Sequence, residues 1–212
     1  MGKFGQKDLD RLLETAKQYC LCKPFLSGSV TTNWFVFTGT YSAGKTTLVQ
    51  DIAESLGVCF HQEPARKFIE KQLDLGRTNE EIWSDVESTV MPVHKLRVDL
   101  ECSLDLEELV LLDTAIPDTL PYALLYGIDP EEIIRASSRF RYKEPVFLVD
   151  PLPFKSDEIR RSNSHERFAL HYLRKKIYIT LGYRVVSVPV LDRIRRRDFV
   201  LRCLHEMPEL QI

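Results

Sequence analysis

At 212 residues, with 44% hydrophobic and 28% charged residues, the chain has the size and balance expected of one soluble globular domain with a substantial core. A formal net charge of −2 provides no global attraction to nucleic acid or to an acidic membrane, and the start MGKFGQKDLD lacks the apolar stretch of a signal peptide. The five cysteines (Cys20, Cys22, Cys59, Cys102, Cys203) form neither a disulfide framework nor a CxxC zinc pair, so reduced thiols and a cytoplasmic location are expected.

Residues 8–22 carry Leu9, Leu12, Leu13 and Ala16 at helical spacing before Pro24, which predicts an N-terminal helical extension and loop over 1–32. A single α/β domain is expected over 33–212. Within it, short apolar runs at 34–38, 58–61, 108–112, 145–149 and 183–188 read as strands. The helical pattern Leu48, Val49, Ile52, Ala53, Leu56 closes on Gly57, suited to the left-handed turn after a helix. Thr78-Asn79-Glu80-Glu81 is a capping-box pattern that opens another helix, in which Pro92 predicts a kink or break. A further helix is predicted over 166–181, ended by Gly182. Mostly unbroken apolar strands alternating with helices predict a three-layer α/β/α fold around a mainly five-stranded parallel sheet. No apolar run approaches the ~18 residues that span a membrane.

Gly39-Thr40-Tyr41-Ser42-Ala43-Gly44-Lys45-Thr46 satisfies G-x4-G-K-[ST] between a predicted strand and an amphipathic helix. In such a P-loop the backbone N–H groups surround a phosphate, and the glycines permit the conformations this requires. Lys45 is placed to reach the β- and γ-phosphates of ATP, and the Thr46 hydroxyl to ligate Mg²⁺. Thr47, one residue into the helix, joins the nucleotide contacts, and the helix N-terminus adds about half a positive charge. Asp113 ends the run ELVLLD, where a carboxylate can hold Mg²⁺ through water. An acidic helix cap is the competing account of Asp113.

Three chemistries use this loop. A GTPase switch should show NKxD and a DxxG after the metal strand; NKxD is absent, and Asp113 is followed by Thr-Ala-Ile. A motor ATPase needs longer flanking domains. A small-molecule kinase needs a base near an acceptor hydroxyl and an arginine-bearing lid. Glu63, in HQEPAR after the second strand, is the base candidate, with a plain helix cap as the alternative. Arg66 is a candidate to hold the substrate or to pair with a carboxylate. The lid candidate is PFKSDEIRRSNSHER, in which Arg160, Arg161 and Arg167 could neutralise developing charge. LDRIRRRDFVLRCL carries Arg193, Arg195, Arg196 and Arg197; a nucleotide contact competes there with a solvated basic face.

Taken in order, the P-loop, Glu63-x-x-Arg66, LLDTAIPDT (111–119), FLVDPLPFKSDEIRR (147–161) and RRRDFVLRCL (195–204) resemble the ribosylnicotinamide kinase domain of NadR proteins, an AAA-domain, NadR-like P-loop family. The resemblance covers roughly 33–206. It implies a fold like that of nucleoside and nucleotide kinases and an ATP·Mg²⁺-dependent kinase. It implies Glu63 as base, Asp113 as metal group, Arg160 or Arg161 as lid arginines, Arg196 near the nucleotide, and Asp118 beside Glu63 and Arg66 at the acceptor. The expected partners are ATP and a small-molecule acceptor of nucleoside type, with neither nucleic acid nor membrane. Neither a helix-turn-helix nor an adenylyltransferase domain accompanies it, and the acceptor and oligomeric state stay open. A nucleotide-binding regulatory ATPase or GTPase module without a metabolic acceptor is the alternative.

Overall fold

The computed structural model describes residues 6–21, 28–153 and 164–207. In chain order the elements are α1 (Gln6–Leu21), β1 (Val30–Thr38), α2 (Lys45–Leu56), β2 (Cys59–His61), α3 (Pro64–Asp74), α4 (Asn79–Ser84) and α5 (Val86–Ser103). There follow β3 (Val110–Asp113), a 3-10 turn (Ile116–Thr119), α6 (Leu120–Tyr126), α7 (Glu131–Ser137), β4 (Phe140–Val149), α8 (Ser164–Thr180), β5 (Val185–Val188) and α9 (Arg193–His205). The strands form one five-stranded sheet in the order β2-β3-β1-β4-β5, with every neighbouring pair parallel.

Each predicted apolar run becomes a strand. β1 begins earlier than its apolar run, with Val30 opposite Phe140 and Thr31 opposite Arg141. The sheet therefore takes in residues expected to belong to the N-terminal extension. Successive β1 side chains go to opposite faces, as a strand requires. Trp34 and Val36 enter one core with Val110, Leu112, Tyr142 and Val146, covered by Leu124, Leu170, Leu173 and Ile177 from α6 and α8. Phe35 and Phe37 enter the other with Leu111, Phe147 and Val188, covered by Val49 and Ile52 of α2 and Val200 and Leu204 of α9. Leu9 and Leu13 of α1 belong to the first core, at 1% and 5% exposure, so the N-terminal helix is packed into the domain. Burying a side chain of this size contributes about 1.5–3 kcal/mol.

The Thr78 capping box forms as its pattern predicts. Pro92, however, neither ends nor divides α5. The break falls at Asp85, whose carboxylate accepts the Ser88 N–H and starts α5 afresh. Burial of Val90, Val93, His94 and Arg97 on either side of Pro92 holds the helix through it despite the one missing amide donor. No helix among the described residues is long and apolar enough to cross a membrane. Because all strands are parallel, the segments after β1, β2, β3 and β4 gather at one edge of the sheet, and the P-loop leaves the central strand there.

Candidate active site

The loop after β1 needs its glycines for two separate reasons. Gly39 has φ +150°, and a Cβ there would lie 2.7 Å from the backbone oxygen of Val149. Gly44 has φ +77° and directly precedes α2 in the left-handed region that glycine occupies without a Cβ penalty. Ser42 also takes a positive φ of 56°. Inside this loop Lys45 is 7% exposed; its Nζ donates to the Thr40 carbonyl at 3.2 Å and lies 4.0 Å from Asp113 Oδ1. The Thr46 hydroxyl donates to Asp113 Oδ2 at 2.5 Å. Parallel pairing of β1 with β3 brings Phe37 opposite Asp113, which is how the strand end meets the loop. Burial pushes the Asp113 carboxyl above its ordinary value, while Lys45 pulls it back.

Two arginines brace the loop from outside. Arg196 of α9 is 4% exposed and donates to the carbonyls of Ala43 (2.7 Å), Pro189 (2.9 Å) and Asp150. Arg167, in the first turn of α8, reaches Thr40 Oγ1 (3.5 Å) and the carbonyls of Ser42 (3.4 Å) and Leu152 (3.0 Å). Tyr41 is packed beside these groups, its hydroxyl pushed up to about 12 by burial and then by Glu166.

Glu63 stands at the N-cap position of α3, yet its side chain makes no capping hydrogen bond. Its Oε1 accepts from Arg97 at 2.7 Å. The same guanidinium donates to Thr119 Oγ1 at 2.8 Å, and His94 Nδ1 lies 3.4 Å from that hydroxyl. Burial, then Arg97, pushes the His94 imidazole down to about 4, which keeps it neutral near pH 7. Glu63 is close enough to Asp113 to add to the upward push on that carboxyl.

A family model described as an AAA domain matches residues 34–197, most of the chain. The chain belongs to that AAA-domain family. No curated protein matches it. Among solved structures it is similar to a NadR protein in complex with NR, at 23% identity and TM-score 0.63, over 82% of this chain and 49% of that one. The chain thus spans about half the length of that NadR chain. It is also similar to thymidylate kinase from Ehrlichia chaffeensis (19% identity, TM-score 0.58, 82% of this chain and 98% of that one). A third similar structure is deoxyadenosine kinase from M. mycoides with products dCMP and dCDP bound (16% identity, TM-score 0.59, 82% and 100%). At these identities the likeness is one of fold.

In this AAA domain the structure draws together the P-loop from Gly39 to Thr46, with Thr47 in the first turn of α2, and Asp113. The other expected residues take their own places. Arg66, with a side chain 64% exposed, makes the carboxylate pairing, with Glu70 on the same helix at 3.4 Å. Asp118 is 0% exposed. Its carboxylate accepts from Thr38 Oγ1, Arg174 Nε (3.1 Å), Tyr178 Oη (2.8 Å) and the Ala115 N–H (2.9 Å), so it anchors the floor of the site and has no surface for an acceptor. Arg196 meets the loop's backbone from behind, and Arg193, Arg195 and Arg197 pair with Asp51, Asp192 and Asp198. Arg160 and Arg161 lie outside the described residues. Arg97 was missed, although its signal was present. Val90, Val93, His94, Arg97 and Glu101 recur at helical spacing and are all buried, so three ionisable groups sit on an inward stripe.

The donor set fits Mg²⁺. Thr46 and Asp113 offer hard oxygens in contact with each other, and Asp113 Oδ1 is buried without a hydrogen bond among the described residues. Thr46 and Asp113 would hold the ion, whose positive charge would offset that of the phosphates of ATP.

Proposed function

We propose that this AAA domain transfers the γ-phosphoryl group of ATP to a hydroxyl of a nucleoside-like small molecule. The observation that carries the reading is Glu63, a carboxylate withdrawn from capping α3 and held by Arg97 on the same side of the sheet as the P-loop. Lys45 and the loop amides would hold the phosphates, with Thr46 and Asp113 holding the metal of ATP·Mg²⁺. Glu63 would accept the hydroxyl proton as that oxygen bonds to the γ-phosphorus, while the bond to the ADP oxygen breaks. The fold likeness to nucleoside and nucleotide kinases supports this class of acceptor, and the NadR likeness makes ribosylnicotinamide the first to try.

The test is ADP release with a panel of nucleosides and small alcohols, wild type beside Glu63→Gln, with mass spectrometry of the product. Glu63→Gln should keep ATP binding and lower transfer by ~10²–10⁴-fold. A panel in which no acceptor raises ADP release above basal hydrolysis, with Glu63→Gln leaving that basal rate alone, would favour a nucleotide-operated regulatory module. The observation on that side is the Arg66–Glu70 pair, which engages an arginine that could otherwise contact an acceptor.

A further inference from the structure

We infer that Arg97 is the positioning residue for the Glu63 carboxylate, supplied by α5 and not by the end of β3. The inference rests on the kinase reading above and names what orients its base.

Glu63 lies at the start of α3, just after the edge strand β2, a strand of three residues. Its side chain is 28% exposed, so without a partner it could turn to water. Residues 114 and 115, which follow the β3 carboxylate, are threonine and alanine and supply no cation. The cation comes from across the helical layer. Arg97 is 4% exposed on its side chain and uses its two terminal nitrogens on different targets, NH2 on Glu63 at 2.7 Å and NH1 on Thr119 at 2.8 Å. A planar fork engaged at both tips fixes the direction of each bond in a way that an ammonium cannot. Thr119 is itself 0% exposed, at the end of the 3-10 turn that carries Asp118.

α5 is in turn fixed one helical turn further on. Glu101 accepts the Ile116 N–H at 2.7 Å and the Tyr142 hydroxyl at 2.6 Å, joining the helix to the turn and to β4. The carboxylate of Glu63 is thereby referred to the sheet through Arg97, Thr119 and Glu101. Among the described residues, none of these three hydrogen-bonds to the P-loop lysine or to the Thr46–Asp113 pair.

The experiment compares wild type, Arg97→Met, Arg97→Lys, Glu63→Gln and the Arg97→Met/Glu63→Gln double variant in the acceptor assay, with ATP·Mg²⁺ affinity measured by titration. Arg97→Met should lower kcat by roughly 10–10²-fold, the effect of an ångström-scale misplacement, with the ATP affinity unchanged. Arg97→Lys, which keeps the charge and reaches one target, should fall between the two. The double variant should be no slower than Glu63→Gln alone, because the arginine acts only through that carboxylate. Unchanged kcat in Arg97→Met, or losses that multiply in the double variant, overturns the inference. If Arg97→Met does not fold, Arg97→Lys combined with Glu63→Gln provides the same comparison. If wild type turns over no acceptor, the kinase reading fails by itself. Crystal structures of wild type and the folded Arg97 variant then decide the positioning. A Glu63 carboxylate displaced in the variant supports it, and one left in place overturns it.

Discussion

The Thr46 hydroxyl donates to Asp113 Oδ2 across 2.5 Å, joining the first turn of α2 to the end of β3, whose partner strand is β1. Two hard oxygens that meet only through the fold thus stand where the proposed Mg²⁺ would be held. Thr46→Ala should reduce the gain in ATP affinity that Mg²⁺ provides, and Lys45→Ala should weaken ATP binding itself by roughly 10–10²-fold, the weight of a charged hydrogen bond. Calorimetric titration with and without Mg²⁺ checks both. Equal ATP affinity in folded Lys45→Ala protein would remove the P-loop assignment.

Gly39→Ala should destabilise the domain by at least about 2 kcal/mol. The added methyl would stand 2.7 Å from the Val149 carbonyl, a backbone atom of β4 that cannot swing aside as a side chain would. Urea unfolding of the variant measures this, and an unshifted midpoint would mean that the loop can move away from β4.

Arg196→Ala should cost about 3 kcal/mol, since three buried carbonyls lose one shared donor group. Because Ala43 is among them, nucleotide affinity should fall as well. Arg195→Ala, one residue away and paired with Asp192 at 77% exposure, should change neither by much. Parallel denaturation and ATP titration of the two variants distinguish a brace from a general basic surface.

Glu101 predicts a pH dependence. Burial pushes its carboxyl up to about 8, so the folded chain holds this proton through a range where the unfolded chain, near the ordinary value of 4.5, has released it. The contribution to stability is therefore complete below pH 4.5 and declines between 4.5 and about 8, with a slope approaching ~1.4 kcal/mol per pH unit. Glu101→Gln keeps the shape and removes the titration. The difference in unfolding free energy between wild type and variant should drift in the variant's favour as pH rises from 5 to 8, and a flat difference would contradict the burial account.

The P-loop could be read in the sequence because phosphate binding demands contiguous residues at fixed spacing, and Asp113 because an apolar strand ended in a carboxylate. Strands were legible as apolar runs, while the early start of β1 was not: Val30 and Thr31 gain strand structure from pairing with Phe140 and Arg141, more than a hundred positions away in the chain. Glu63 was visible from its place after β2, but its partner Arg97 was not, and Arg66 was read as holding substrate or pairing with a carboxylate. The helix turned Arg66 outward, and the true contact spans 34 positions. Asp118 looked like a site residue for the right region and the wrong role. Apart from the Ala115 N–H, its partners lie on β1 and α8, and nothing local announces those.

That dispersion has a consequence for how the protein is made. A ribosome delivers the chain from its N-terminus, so the P-loop, Glu63 and Arg97 emerge well before Arg174 and Tyr178. Until α8 follows, the Asp118 carboxylate has Thr38 and the Ala115 amide but lacks the guanidinium and phenol that complete its shell. An acid destined for complete burial would resist being enclosed in that state. The nascent domain should therefore stay open around the 3-10 turn and shut only when α8 arrives, which makes the P-loop end of the sheet one of the later parts of the molecule to be finished.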